Sequence, residues 1–336
     1  MWHYRPLLPV ANPDCIVTLG EGATPLLSAP RLAKRTGFRK VYIKNETLNP
    51  TGSFKDRQLS VGVSHAREQG CNTIAVVSSG NVATAAAAYA SRAGMTAVLY
   101  MHGQAGEGKI TQARTYGARI MRVDTPKPSE AFAVCIEDCN KNGWAHLSTA
   151  GMYEPFNVEG AKTIAYELYQ QFEGELPDWI LAPVGGGGLL GGLWRGFRDL
   201  MRLGELERMP RLAGVQAAGC APLCAAIEQD WSFQESLEHP WPDPNTIAGG
   251  IADDILFDGH TALPAIRETG GLALSVHDDA IREAVPLLAH SEGLLCELTS
   301  AVVIAALRNP SPIPHNQTMC CILTGNGMKD LIAQHQ

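Results

Sequence analysis

The sequence predicts an α/β protein built on two open, twisted, mostly parallel sheets flanked by helices. Two features carry that expectation. Short apolar runs alternate with longer stretches of helical pattern between residues 41 and 323, and strands separated by helices pair in parallel with both sheet faces covered. The chain is also 336 residues long, with a 45% hydrophobic share. That exceeds the ~250–300 residues at which one core stops growing, so two closely joined domains are expected.

Taken in order, residues 41–44, 73–77, 97–101 and 120–123 read as strands, rich in Val, Ile, Leu and Tyr. The alanine-rich stretch 84–93 reads as a helix between the second and third, because alanine gives up least on entering a helix. Residues 179–184, 212–216, 272–276 and 319–323 continue the strand pattern. Residues 230–245 are the least regular stretch and contain Trp231, Trp241, Pro240, Pro242 and Pro244. Such a length exceeds an ordinary connection and suits a surface loop packing its own aromatics, a lid or a dimer contact.

Composition narrows the partners. A formal charge of -7 without any basic run argues against nucleic acid and against an anionic membrane surface. Met1, Trp2, His3, Tyr4, Arg5 and Pro6 lack the apolar region of a secretory signal, and no apolar segment is long enough to span a bilayer. A cytoplasmic location is therefore expected. The nine cysteines are odd in number and scattered, which does not suit a disulfide framework. Cys135 with Cys139, and Cys220 with Cys224, could each share a helix face, but neither pair has the further ligands that structural zinc requires, so no metal is expected.

The chemistry-bearing residues lie elsewhere. Lys55 sits in Asn49-Pro50-Thr51-Gly52-Ser53-Phe54-Lys55-Asp56-Arg57, and Gly185, Gly186, Gly187 and Gly188 join an expected strand to a helix. Consecutive glycines let the backbone aim its N–H groups at an anion, and the helix adds the positive end of its dipole. An amine paired with such a cradle suggests a Schiff base with a phosphate-bearing cofactor. Ser78-Ser79-Gly80-Asn81 likewise ends a strand and opens a helix, a turn that suits a carboxylate, although Ser78 or Ser79 could also cap the helix.

These strings, with Thr324-Gly325-Asn326-Gly327, occur in the order seen in fold-type II pyridoxal phosphate (PLP) enzymes. The chain resembles threonine synthase and its relatives in that group, from about Gly20 to Asp330. The resemblance implies a large domain from residues 1–52 and 153–336, a small domain from residues 53–152, and a homodimer. It implies that Lys55 tethers PLP and then moves protons at the substrate carbons, with Phe54 beside the cofactor. Gly185, Gly186, Gly187 and Gly188 would hold the phosphate, and Thr324 would face the pyridine nitrogen. Ser79, Gly80, Asn81 and Val82 would hold the carboxylate of a small amino acid, with Asn81 also reaching the phenolic oxygen. Glu297, Thr299 and Ser300 resemble a further family segment near the cofactor.

One departure bears on the substrate. Where the family pattern has a polar pair and an arginine for a second phosphate, this sequence has Gly151, Met152 and Asn157, and Leu189 follows the tetraglycine where an asparagine is usual. A doubly charged phosphate without cationic donors binds poorly. The expected activity is elimination or replacement at the β or γ carbon of a small amino acid. Threonine synthase proper and serine/threonine ammonia-lyase stand as alternatives, and a non-catalytic homologue that binds PLP or an amino acid stands as an alternative of another class.

Overall fold

The structure is a computed structural model and describes residues 1–102, 107–125, 128–308 and 311–329. Asp330, the far end of the resemblance, lies outside the described residues. The chain opens with β1 (Leu26–Ser28), α1 (Pro30–Thr36) and β2 (Lys40–Asn45). There follow α2 (Lys55–Glu68), β3 (Thr73–Val77), α3 (Asn81–Ala93), β4 (Thr96–His102), α4 (Glu107–Thr115), β5 (Arg119–Val123), α5 (Pro128–Asn142) and β6 (Ala145–His146). The next stretch holds α6 (Lys162–Gln171), β7 (Trp179–Pro183), α7 (Gly188–Arg202), β8 (Arg211–Ala217), α8 (Pro222–Glu228), α9 (Phe233–Glu238) and α10 (Gly259–Thr269). It closes with β9 (Leu272–Val276), α11 (Asp278–Glu292), α12 (Leu298–Ala305) and β10 (Thr318–Leu323).

These elements form two compact units. The first comprises Met1–Gly22, Leu48–Gly160 and Lys329–Gln336; the second comprises Ala23–Thr47 and Ala161–Met328. Within the first unit four strands pair in the order β5-β4-β3-β6, all in parallel. The core contains Leu59 and Val63 of α2, Ile74 and Val76 of β3, Leu99 of β4 and the alanines of α3. Alanine has a specific use there: Ala85, Ala86, Ala87 and Ala90 are all fully or almost fully buried, so a helix with short side chains packs closely on the sheet.

Within the second unit six strands pair in the order β1-β2-β10-β7-β8-β9, and only β1 runs antiparallel to its neighbour. Ile43, Leu181, Val215, Cys321 and Leu323 line the core with Val302, Val303 and Ile304 of α12. The buried strands read as continuous apolar runs because neither face meets water. Lys44 of β2 is fully buried and donates to Glu167 Oε2 at 2.7 Å, to Gln171 Oε1 at 2.9 Å and to the Thr24 carbonyl at 2.7 Å. Pairing and hydrogen bonding are what allow a buried ammonium.

The irregular stretch 230–245 packs one aromatic on itself and ties the others to neighbouring segments. Ser232 and Glu235 form a reciprocal capping box that starts α9. Trp231 stacks on His239 with ring centroids 4.4 Å apart, and Trp241 Nε1 donates to the Gly219 carbonyl at 2.9 Å. None of the nine cysteines forms a disulfide. Among the described residues no helix is long and apolar enough to cross a membrane.

Candidate active site

Lys55 opens α2, and the turn before it is closed by its neighbour. Asp56 Oδ2 accepts from the Thr51 N–H at 2.8 Å and Oδ1 from Thr51 Oγ1 at 2.7 Å. A carboxylate in the first turn also suits the helix dipole. Burial pushes the Asp56 carboxyl up to about 7, against the opposing pull of the Thr51 hydrogen bonds. Lys55 Nζ donates to Gln58 Oε1 and to Thr149 Oγ1, both at 3.0 Å, and lies 4.6 Å from the centroid of the Phe54 ring. Phe54 therefore packs on the lysine amine itself.

Ser79, Gly80, Asn81 and Val82 form the passage from β3 to α3, and all four are half-buried. Gly80 is the N-cap of α3 and supplies no side-chain cap. Ser78 Oγ accepts from the Gly80 N–H at 3.1 Å, so this hydroxyl serves the turn and not the first turn of the helix. Helix N–H groups without a side-chain cap are suited to an anionic ligand. Asn81 Oδ1 accepts from Lys329 Nζ at 2.8 Å.

The remaining predicted residues belong to the second unit. Gly185, Gly186 and Gly187 come after β7 and Val184, and Gly188 is the first residue of α7. Gly187 has a φ of 105°, a conformation that disfavours L side chains. A Cβ at Gly186 would lie 3.0 Å from Phe257, and one at Gly187 would lie 2.8 Å from Ala262 Cβ. At Gly185 it would run into the Asp253 carboxylate. The Gly186 N–H donates to Asp253 Oδ2 at 2.7 Å.

Thr324 follows β10 and is buried. Its Oγ1 lies 2.8 Å from Ser300 Oγ, which also accepts the N–H groups of Thr324 and Gly325 at 2.9 Å. The Glu297 N–H donates to the Gly325 carbonyl at 3.0 Å, so the start of α12 and the Thr324 turn are built together. A phosphate-bearing cofactor fits these features: a turn closed to side chains, a helix start lacking a side-chain cap, and a neutral hydroxyl pair at a strand end.

Four residues were not foreseen in the parts they play. Thr149 and Gln58 hold the Lys55 amine, Asp253 meets the glycine turn, and Asn157 organises the segment carrying Thr149. Asn157 Nδ2 donates to the carbonyls of Leu147 and Ser148 at 2.9 and 3.3 Å, and its own N–H donates to Glu154 Oε2 at 2.6 Å. Burial pushes Glu154 up to about 7 and His146 down to about 4. His146 Nε2 lies 2.8 Å from Ser148 Oγ, and Ser148 Oγ accepts from the last N–H of β3 at 3.0 Å.

The chain matches the family model of the pyridoxal-phosphate dependent enzymes over residues 17–325. It is 36% identical over 334 residues to the threonine synthase of Methanocaldococcus jannaschii, covering 98% of this chain and 80% of the relative. The threonine synthase of Synechocystis is 38% identical over 330 residues, 97% of this chain and 82% of the relative. Among solved structures, a T.th. threonine deaminase superposes with a TM-score of 0.74 at 27% identity, covering 90% of this chain and 92% of that one. A pyridoxal 5'-phosphate-dependent aspartate racemase superposes with a TM-score of 0.77 at 25% identity, covering 95% and 96%. The expected fold and the expected cofactor dependence are both borne out: the chain belongs to the pyridoxal-phosphate dependent enzymes of fold type II and is similar over nearly its whole length to threonine synthases.

Proposed function

We propose that this enzyme carries out elimination or replacement at the β or γ carbon of a small amino acid, with Lys55 tethering PLP and moving protons at the substrate carbons. PLP, when bound, supplies the electron sink for the charge left by the substrate's alpha proton. Gly185, Gly186, Gly187 and Gly188 hold its phosphate through backbone N–H groups, and Ser79, Gly80, Asn81 and Val82 hold the substrate carboxylate. The observation that carries the reaction class is the neutral hydroxyl pair of Thr324 and Ser300. Opposite a pyridine nitrogen, such a pair does little to keep that nitrogen protonated. The weaker sink suits reactions in which a leaving group takes the electrons. The reading extends to a homodimer, as the family resemblance implies, and to a cytoplasmic location, as the composition suggests.

Asn157 favours a substrate without phosphate. It is fully buried and spends its amide on backbone carbonyls, so it offers no cation at the position where the family pattern has arginine. The threonine synthases among the relatives favour the second reading, synthesis of threonine from O-phosphohomoserine. The test is to load the purified protein with PLP, follow its absorbance, and present O-phosphohomoserine, serine, threonine and their O-activated forms. Pyruvate, oxobutyrate or a replaced amino acid from a non-phosphorylated substrate supports the first reading. Threonine from O-phosphohomoserine supports the second, and retained PLP without any product would sink both.

A further inference from the structure

The amide of Gln58 is placed in an unusual way. Gln58 is fully buried on α2, three residues beyond Lys55 and so on the same helix face. Its Oε1 accepts from Lys55 Nζ at 3.0 Å, while its Nε2 has no hydrogen-bond partner among the described residues. Buried donors are nearly always paired, so an orphan needs a reason. Turning the amide over would set its N–H groups against the lysine donors and remove the acceptor. The orientation therefore serves the amine at the expense of the amide nitrogen.

We propose that Gln58 is a positioning residue for Lys55, whose Oε1, with Thr149 Oγ1, forms the station at which the lysine amine rests whenever it is not tethered to the cofactor. Both acceptors are neutral. A carboxylate in the same place would hold the ammonium form by ion pairing and make the amine a poorer base and nucleophile. Asp56, the adjacent carboxyl, is kept from this part by Thr51, which binds both of its oxygens. The Phe54 ring at 4.6 Å limits the amine on another side. Gln58 thus supplies direction without charge, and its unpartnered Nε2 is the donor left over for a bound molecule.

The inference rests on Lys55 being the tethering amine, and the experiment separates the two. Apo protein is mixed with PLP and covalent capture is followed by absorbance across pH, after which borohydride reduction and peptide mapping identify the labelled lysine. Gln58→Met, nearly isosteric and without an acceptor, is expected to slow capture about tenfold while non-covalent retention of PLP by Lys55→Ala protein is unaffected by adding it. Gln58→Glu restores an acceptor but adds charge, and is expected to move the pH profile of capture upward by about one unit. Thr149→Val is expected to slow capture as Gln58→Met does. Circular dichroism establishes that each variant is folded. Label on Lys55 with wild-type rates and profiles in all three variants overturns the role of Gln58 alone. Label on a different lysine overturns the reading of Lys55 as well.

Discussion

Replacing Gly187 by valine tests the glycine turn on two independent scales. The position has a φ of 105°, and L residues pay about 1–2 kcal/mol even at the centre of the left-handed region, with a β-branched side chain worse. The new Cβ would lie 2.8 Å from Ala262 Cβ, against an optimum of ~3.5–4.0 Å between carbons. Ala262 belongs to α10 and has no flexible end to move aside, so the turn must yield by about 0.7 Å or more. Together these cost roughly 3 kcal/mol, or about 6–12 °C in melting temperature for a unit of this size. A displaced N–H that loses one charge-assisted hydrogen bond weakens PLP binding by about 10–100-fold. Calorimetry of the apo protein reads the first effect, and an absorbance titration with PLP reads the second. A lower melting temperature with PLP affinity within twofold of wild type would place the phosphate elsewhere. A wild-type melting temperature would refute the strain argument itself.

Asp253→Asn removes a carboxylate from the N–H of Gly186. Like charges about 4 Å apart repel by about 4 kcal/mol at an effective dielectric constant of about 20, and greater distance with solvent screening leaves roughly a third of that, so PLP binding should tighten about tenfold; weaker binding in the titration would mean that the carboxylate supports the turn instead. Glu154 has a pKa of about 7 in the fold against an ordinary value of 4.5, so the folded state holds the extra proton, and the stability this provides is present below 4.5 and lost as pH rises through 7. Glu154→Gln should flatten the fall in unfolding free energy between pH 5 and 8 by an amount on the order of 3 kcal/mol, and an unchanged slope in denaturant titrations would assign the pH dependence to other groups such as Asp56. Asn157→Arg should cost about 3–5 kcal/mol in denaturant unfolding without enabling use of O-phosphohomoserine, because it buries a charge and overpacks the site. A gain of that activity with wild-type stability would show that one side chain decides the substrate.

The strands with strong apolar runs were legible because burial on both faces is written into composition: β3, buried from its second residue on, has the bounds its sequence pattern suggests, and the half-buried edge strand β9 keeps its expected bounds through its apolar run. β1 and β6 were not, since three residues and two residues are too short to display a period. The same contrast holds at the site. Lys55 and the glycine turn stand in strings whose local chemistry can be read in isolation, while Thr324 was marked only by the family resemblance. Thr149 meets Lys55 across 94 residues and Asp253 meets Gly186 across 67, and nothing local announces either contact. Gln58 lay within reach of sequence reasoning, since its three-residue spacing from Lys55 is the spacing of neighbours on a helix face.

The departure at Asn157 and the placement of Lys55 are parts of one arrangement. Asn157 grips the carbonyls of Leu147 and Ser148, Ser148 is tied through its hydroxyl to the end of β3, and the next residue, Thr149, receives the lysine amine. A Cβ at Gly62 would lie 2.8 Å from Asn157 Cβ, so α2 packs closely against the same residue. An arginine reaching for a substrate phosphate could not also make these contacts from that position, because its guanidinium has donors only at the end of a long stem. The position for which the family pattern has arginine here braces the segment that receives the Lys55 amine. On the proposed reading, a substrate without phosphate and a second support for Lys55 are two consequences of the same buried amide.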